Sequence, residues 1–310
     1  HLAAIAEAAG VELRHEDWQI HGYDIPLLAD VQPAGRFLSE RFHRAGGVPA
    51  IMWELAEAGV LETGCATVTG QTIGENLKGR EARDREVIRA YDTPLMERAG
   101  FRVLSGNLFD FAIMKTSVIS EDFRRRFLSE PGQENCFEGH AVVFDGSEDY
   151  HARINDPALE IDERSILVIR GSGPLGWPGA AEVVNMQPPD RLIRAGISSL
   201  PTIGDGRQSG TSDSPSIVHA SPESADGGGL AVLRTGDTIR IDLNSGRCDM
   251  LVDEAELDRR RQETAPQVPV SQTPWQKIFR QEASQLSDGA GLRSAKGFHR
   301  IARTLPRHNH

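Results

Sequence analysis

Three short apolar runs constrain the fold most: AVVFD at 141–145, SILVIR at 165–170 and TIRIDL at 238–243. They are rich in β-branched residues and bounded by Gly, Asp or Asn, the pattern of strands between turns. Helical patterns lie among them, at Glu121 to Ser129, Ala180 to Met186, Asp190 to Ala195, Glu254 to Thr264 and Trp275 to Leu286. The half after residue 100 therefore reads as β-rich with interspersed helices. A Pro-containing linker, APQVPVSQTP, leads into a helical tail.

The chain before residue 100 has a different character. Residues 34–63 are helical twice over, as GRFLSERFHRAG and then VPAIMWELAEAGVLET, with Pro49 placed where a first helical turn tolerates it. The first ten residues, HLAAIAEAAG, run as a helix with Gly10 as a C-cap. The sequence thus opens inside an element at His1, and a preceding part of the same domain is expected. The glycine- and threonine-rich stretch Gly64 to Gly79 and the charged stretch Asp84 to Gly100 place a domain boundary near residues 85–103.

Composition excludes several classes. With 310 residues, 39% hydrophobic and 25% charged, the chain is an ordinary globular sequence long enough for about two domains, not a disordered or collagen-like one. Its net charge of −11 argues against a binder of nucleic-acid phosphates. No apolar run approaches the roughly 18 residues of a membrane span and no signal segment opens the chain, so a cytoplasmic protein is expected. Cys65, Cys136 and Cys248 include no C-x-x-C pair, so neither a zinc nor an iron–sulfur motif is written locally. The histidines are scattered; His140 and His219 read as core or loop residues, and His308 and His310 as a solvated tail.

Two glycine-rich segments carry candidate chemistry. IGDGRQSGTSDSPS, residues 203–216, sets small and hydroxyl side chains around a tight turn with Ser209 at its centre. It lacks the G-x-S-x-G of a hydrolase nucleophile, so on turn preferences alone Ser209 reads as a structural turn serine, and a functional reading needs support from elsewhere. RGSGPLGWPGAAEVVNM, residues 170–186, follows a predicted strand and formally contains G-x-G-x-x-G at Gly171, Gly173 and Gly176, with Asp190 further on. In a dinucleotide site the helix begins within the glycines, whereas Pro174 and Pro178 postpone it to about Gly179. Glu182, in the first turns of that postponed helix, is either a helix-dipole residue or a ligand.

These residues resemble a known family. FHRAGGVPAIMWEL (42–55), TVTGQTIGENL (67–77), SGNLFDFAIMKTSVIS (105–120), FEGHAVVFDGSEDYHARI (137–154), GPLGWPGAAEVVNMQPP (173–189) and GDGRQSGTSDSPSI (204–217) together resemble the dihydroxy-acid and sugar-acid dehydratases over nearly the whole chain. RQSGTS, AEVVNM and the closing PRHNH are most similar to the aldonate branch, with arabinonate and xylonate dehydratases. The branched-chain amino-acid and phosphogluconate branches fit less well.

The resemblance implies an α/β N-terminal domain, of which residues 1–100 are the last part, then a β-barrel-like C-terminal domain flanked by helices over 101–310, helical tail included. It implies a hydro-lyase that turns a sugar acid into a 2-keto-3-deoxy acid, using magnesium and an iron–sulfur cluster of the 2Fe–2S type. On the same grounds Ser209 takes the C2 proton, Thr211 lies in its pocket and Glu182 ligates magnesium. Asp213 departs from the family's loop, where a glycine is expected. None of the three cysteines falls at a cluster position, so the cluster ligands are expected upstream of His1 and the chain alone is expected to be inactive. Its partners would be a small sugar acid and copies of itself, as a homodimer or homotetramer, with neither nucleic acid nor membrane. The competing readings are a dinucleotide-dependent oxidoreductase and a non-catalytic binding module.

Overall fold

In a computed structural model of the chain, residues 1–32, 35–179, 182, 186–208, 215–265 and 268–297 are described. Five helices come first: α1 (Leu2–Ala9), α2 (His15–Gly22), α3 (Ser39–Arg44), α4 (Gly47–Glu57) and α5 (Ile73–Leu77). The Gly10 C-cap expected for α1 is present, in the left-handed conformation that glycine adopts without penalty. A capping box starts α5: Thr72 Oγ1 accepts the Glu75 N–H, and the Glu75 carboxylate accepts the Thr72 N–H. Ala45 and Ala50 pack with Val87 and Ile88 in a small core of their own, with Phe37, Phe42 and Ile51 around it.

The rest is built on one eight-stranded sheet. Its strands are β1 (Phe101–Leu104), β2 (Phe111–Lys115), β3 (Cys136–Asp145), β4 (Ser165–Arg170), β5 (Thr202–Gly204), β6 (Ser216–Ser221), β7 (Thr238–Asp242) and β8 (Arg247–Met250). The order across the sheet is β1-β2-β6-β5-β4-β3-β7-β8. The central four, β3 to β6, run parallel, and the flanking pairs are antiparallel. At the two ends, Ser105 N–H donates to Gly246 O at 2.9 Å and Cys248 N–H to Ser105 O at 3.0 Å, which brings β1 against β8 and nearly closes a barrel. Closure leaves few unpaired edge groups.

The three strand-like runs of the sequence are β3, β4 and β7, and β4 coincides with SILVIR. Period-2 alternation explains why β3 and β4 are continuously apolar: both faces are covered. Ala141, Val143, Ile166 and Val168 point into the barrel core, with Phe137, Ile203, Ile217 and Ile239. Val142, Phe144, Leu167 and Ile169 face outward onto Tyr150, Ile154 and Leu192. The last three belong to or follow α7 (Ser147–Arg153) and α8 (Asp190–Arg194), which cover that face. Completing the chain are α6 (Glu121–Phe127), α9 (Glu254–Glu263) and α10 (Pro274–Glu282), the last capped by Thr273 with Pro274 at its first position.

One expected helix is corrected. Glu182 and Met186, the two described residues of the predicted helix 180–186, are not helical. The chain is in turns through Gly179, itself at φ +76°, after two prolines that donate no N–H. None of the described helices is long and apolar enough to cross a membrane.

Candidate active site

Parallel strands deliver their carboxyl ends to one rim, the usual position for a site in such sheets. Here the rim carries Arg170 and Gly171 at the end of β4, Gly204 and Asp205 at the end of β5, and Ser221 to Ser224 after β6. Two buried carboxylates organise it.

Asp205, fully buried, accepts the N–H of Gly171 at 3.0 Å, of Ser172 at 2.9 Å and of Ser224 at 2.9 Å, and the Ser224 hydroxyl at 2.6 Å. Glu223, also fully buried, accepts the Leu175 N–H at 2.9 Å and the Gly176 N–H at 2.9 Å. Gln285 holds Glu223 from behind: its Oε1 takes the Glu223 N–H at 2.8 Å and its Nε2 donates to the carboxylate at 3.3 Å. Burial pushes the Glu223 carboxyl up to about 7, opposed by the Gly176 and Leu175 N–H groups and reinforced by the charge of Asp205.

This arrangement accounts for the G-x-G-x-x-G spacing without a dinucleotide. A Cβ on Gly173 would stand 2.4 Å from Glu223 Oε2, and one on Gly176 would stand 2.5 Å from the Gly171 carbonyl. The N–H groups that a pyrophosphate would need at Gly171, Ser172, Leu175 and Gly176 are occupied by the protein's own carboxylates. No helix starts within the glycines.

The sequence-predicted residues fall unevenly on this frame. Ser209, Thr211 and Asp213 lie outside the described residues, as do His308 and His310. The described ends of the Ser209 segment are pinned beside the first residues of β5 and β6, at the end of these strands opposite the rim. Gln208 Nε2 donates to Ser216 Oγ, which also accepts from Thr202 Oγ1 at 2.7 Å, and Pro215 O accepts the Thr202 N–H at 3.1 Å. Opposite Gly206, whose carbonyl accepts its N–H at 3.1 Å, His219 sits at φ +62°. Burial and the Arg207 charge drive its pKa down to about 4, so the ring is neutral. His140 is a strand residue hydrogen-bonded to Ser165 Oγ at 2.7 Å.

Glu182 is exposed, and its carboxylate makes no hydrogen bond or ion pair among the described residues. A free hard oxygen donor fits one coordination position of magnesium, which typically takes one or two carboxylates with water and substrate oxygens. The cysteines do not fit a cluster. Cys65 is exposed, Cys136 opens β3, and Cys248 is buried in β8 with its thiol pKa driven far up by that burial. No group of three or more His, Cys, Asp or Glu among the described residues is arranged to hold a metal ion.

Sequence reasoning missed Asp205, Glu223 and Gln285. The available signal for the two carboxylates was an acidic residue set amid Gly, Ser and Ala, where a solvated charge has little reason to be.

The sequence that builds this sheet and rim belongs to the dihydroxy-acid/6-phosphogluconate dehydratase family: the C-terminal sequence model matches residues 86–290 and the N-terminal one residues 1–76. Within the family, it is 66% identical over 310 residues to a D-xylonate dehydratase of Caulobacter vibrioides, covering 100% of this chain and 52% of that protein. It is 40% identical over 268 residues to an L-arabonate dehydratase of Azospirillum brasilense, covering 86% of this chain and 44% of that protein. A dihydroxy-acid dehydratase of Ignicoccus hospitalis is 37% identical over 269 residues, covering 86% and 46%. The chain spans about half the length of the curated relatives it matches.

Proposed function

We propose that this chain forms part of a sugar-acid dehydratase that converts an aldonate of the xylonate or arabinonate type to its 2-keto-3-deoxy acid. The observation that carries this reading is the 66% identity to a D-xylonate dehydratase across all 310 residues, against 37% for the dihydroxy-acid dehydratase above.

In the proposed reaction a base takes the C2 proton, the C2–H electron pair forms the C2–C3 double bond, hydroxide leaves C3 and with one proton, equal to that lost from C2, makes up the water released, and the enol tautomerises to the keto acid. Ser209, as its alkoxide, is the base that takes the C2 proton, and Thr211 helps to orient it. Glu182 supplies one oxygen to a magnesium ion; when bound, that ion offsets charge developing on the substrate's carboxylate and C2 oxygen. Gln208 and Pro215 hold the Ser209 segment at its ends, and Asp205 and Glu223 hold the loop leading to Glu182. The 2Fe–2S cluster and the other magnesium ligands belong, on this reading, to residues other than Cys65, Cys136 and Cys248, so the 310 residues alone are inactive. The protein works in the cytoplasm as a homodimer or homotetramer.

The test is keto-acid formation from pentonates, hexonates and 2,3-dihydroxy-3-methylbutanoate, with magnesium, by the 310-residue chain and by the full-length protein. Turnover of a pentonate by the full-length protein alone supports the reading. Turnover only of the branched dihydroxy acid moves the protein to the amino-acid branch, and activity of the 310 residues alone removes the cluster requirement. A Ser209→Ala variant that keeps turnover refutes the base.

A further inference from the structure

The turn between β4 and Glu182 is gripped from two sides at the same two residues. Glu223 accepts the N–H groups of Leu175 and Gly176. Arg280, on α10 in the tail, donates from Nε to the Leu175 carbonyl at 2.7 Å and from Nη2 to the Gly176 carbonyl at 3.3 Å. Its remaining arm donates to Ser271 Oγ at 2.7 Å, and it makes no ion pair among the described residues. A guanidinium that spends its fork on backbone carbonyls fixes geometry rather than balancing a charge. The carboxylate and the guanidinium thus bracket the Leu175 and Gly176 peptide groups, and Gln285 ties Glu223 to the chain just beyond the same helix.

We propose that Glu223 and Arg280 are positioning residues that set the Leu175–Gly176 turn and thereby place the Glu182 carboxylate, making tail helix α10 part of the active-site scaffold. The inference rests on the reading of Glu182 as a magnesium ligand. The physical expectation is that of an outer residue orienting a ligand: its loss lowers metal affinity by about tenfold or more without abolishing the chemistry.

The experiment compares Arg280→Ala, Arg280→Lys, Glu223→Gln and Glu182→Gln with Lys277→Ala, an exposed control on α10, in the full-length protein. Two quantities are read: amide hydrogen exchange at Leu175 and Gly176, and the magnesium concentration at half-maximal turnover. The expected result is faster exchange at both amides in Arg280→Ala, and about a tenfold higher magnesium requirement with turnover recovered at saturating magnesium. Arg280→Lys, which keeps the charge and loses the fork, should fail to rescue. Glu223→Gln should shift both readouts less than Arg280→Ala does, because it keeps an acceptor for the two N–H groups. Unchanged exchange in Arg280→Ala overturns the proposal. So does faster exchange with an unchanged magnesium requirement while Glu182→Gln raises that requirement. If Glu182→Gln leaves the requirement unaltered, the ligand reading itself fails and the positioning role falls with it.

Discussion

Glu223 lies across Gly173 so closely that a side chain at 173 would meet its carboxylate: an added Cβ would be 2.4 Å from Oε2 and 2.5 Å from Cδ. The carboxylate cannot swing aside, because two backbone N–H groups and Gln285 hold it. Gly173→Ala should therefore cost about 2 kcal/mol as an overpacking change. The urea midpoint reads this directly. Because the clash is with one side chain, Glu223→Asp in the same chain should recover part of the loss, and a strictly additive double mutant would show that the contact is not its source.

The same carboxyl and His219 give folding stability two opposed pH dependences. Glu223 titrates at about 7 in the fold against 4.5 in a free carboxyl, so the stability it contributes is present below 4.5 and lost as pH rises through 7. His219 titrates at about 4 against 6.5, so its contribution is present above 6.5 and lost as pH falls through 4. Each swing is about 3 kcal/mol, and over the shared interval they offset each other. His219→Asn, which accepts the left-handed backbone, removes one of them and should be more stable at pH 5 than at pH 7 relative to the parent. Denaturation profiles of parent and variant that stay parallel across that interval would count against a half-buried, neutral His219.

Asp205 is the more exacting of the two carboxylates. It accepts four hydrogen bonds from three residues in two different loops. Truncation to alanine strands several buried donors at once, and roughly 3 kcal/mol or more should be lost. Asp205→Asn turns an amide N–H toward at least one of those donors and should recover little. Ser224→Ala removes only one hydroxyl and should cost less than either. Thermal unfolding of the three variants gives the order, and an Asn variant as stable as the parent would show that the charge and its second oxygen are unused.

What the sequence discloses and what it hides divide along a physical line. β4 is legible because burial on both faces leaves only apolar residues, three of the four β-branched, between Ser165 and Arg170. The start of α9 is legible because Asp253 caps it locally, accepting the Glu256 N–H. Closure of the barrel is not, since it hangs on Ser105 meeting Gly246 and Cys248 across most of the C-terminal region. Glu182 stands out because a recognisable string surrounds it, while nothing in the sequence singles out Arg280, which bonds to backbone carbonyls of Leu175 and Gly176 far away in sequence. A side chain that recognises a carbonyl imposes no residue type on its partner, so neither position announces the other.

The glycine motif supplies the last prediction, since sequence and structure disagree on its meaning. Gly171, Gly173 and Gly176 match a nucleotide fingerprint in spacing, and β3, β4 and β5 are parallel as such a site requires. Anion binding there depends on free N–H groups and the positive end of a helix. Here Asp205 and Glu223 occupy those N–H groups, and two buried carboxyls would repel a pyrophosphate. NADH and inorganic pyrophosphate should therefore give no saturable heat in titration calorimetry at millimolar concentration. Neutralising one carboxyl in Glu223→Gln should not create a site, because its amide oxygen still holds the loop. Saturable binding of NADH by the parent protein would restore the oxidoreductase reading, and with it a different use for the rim.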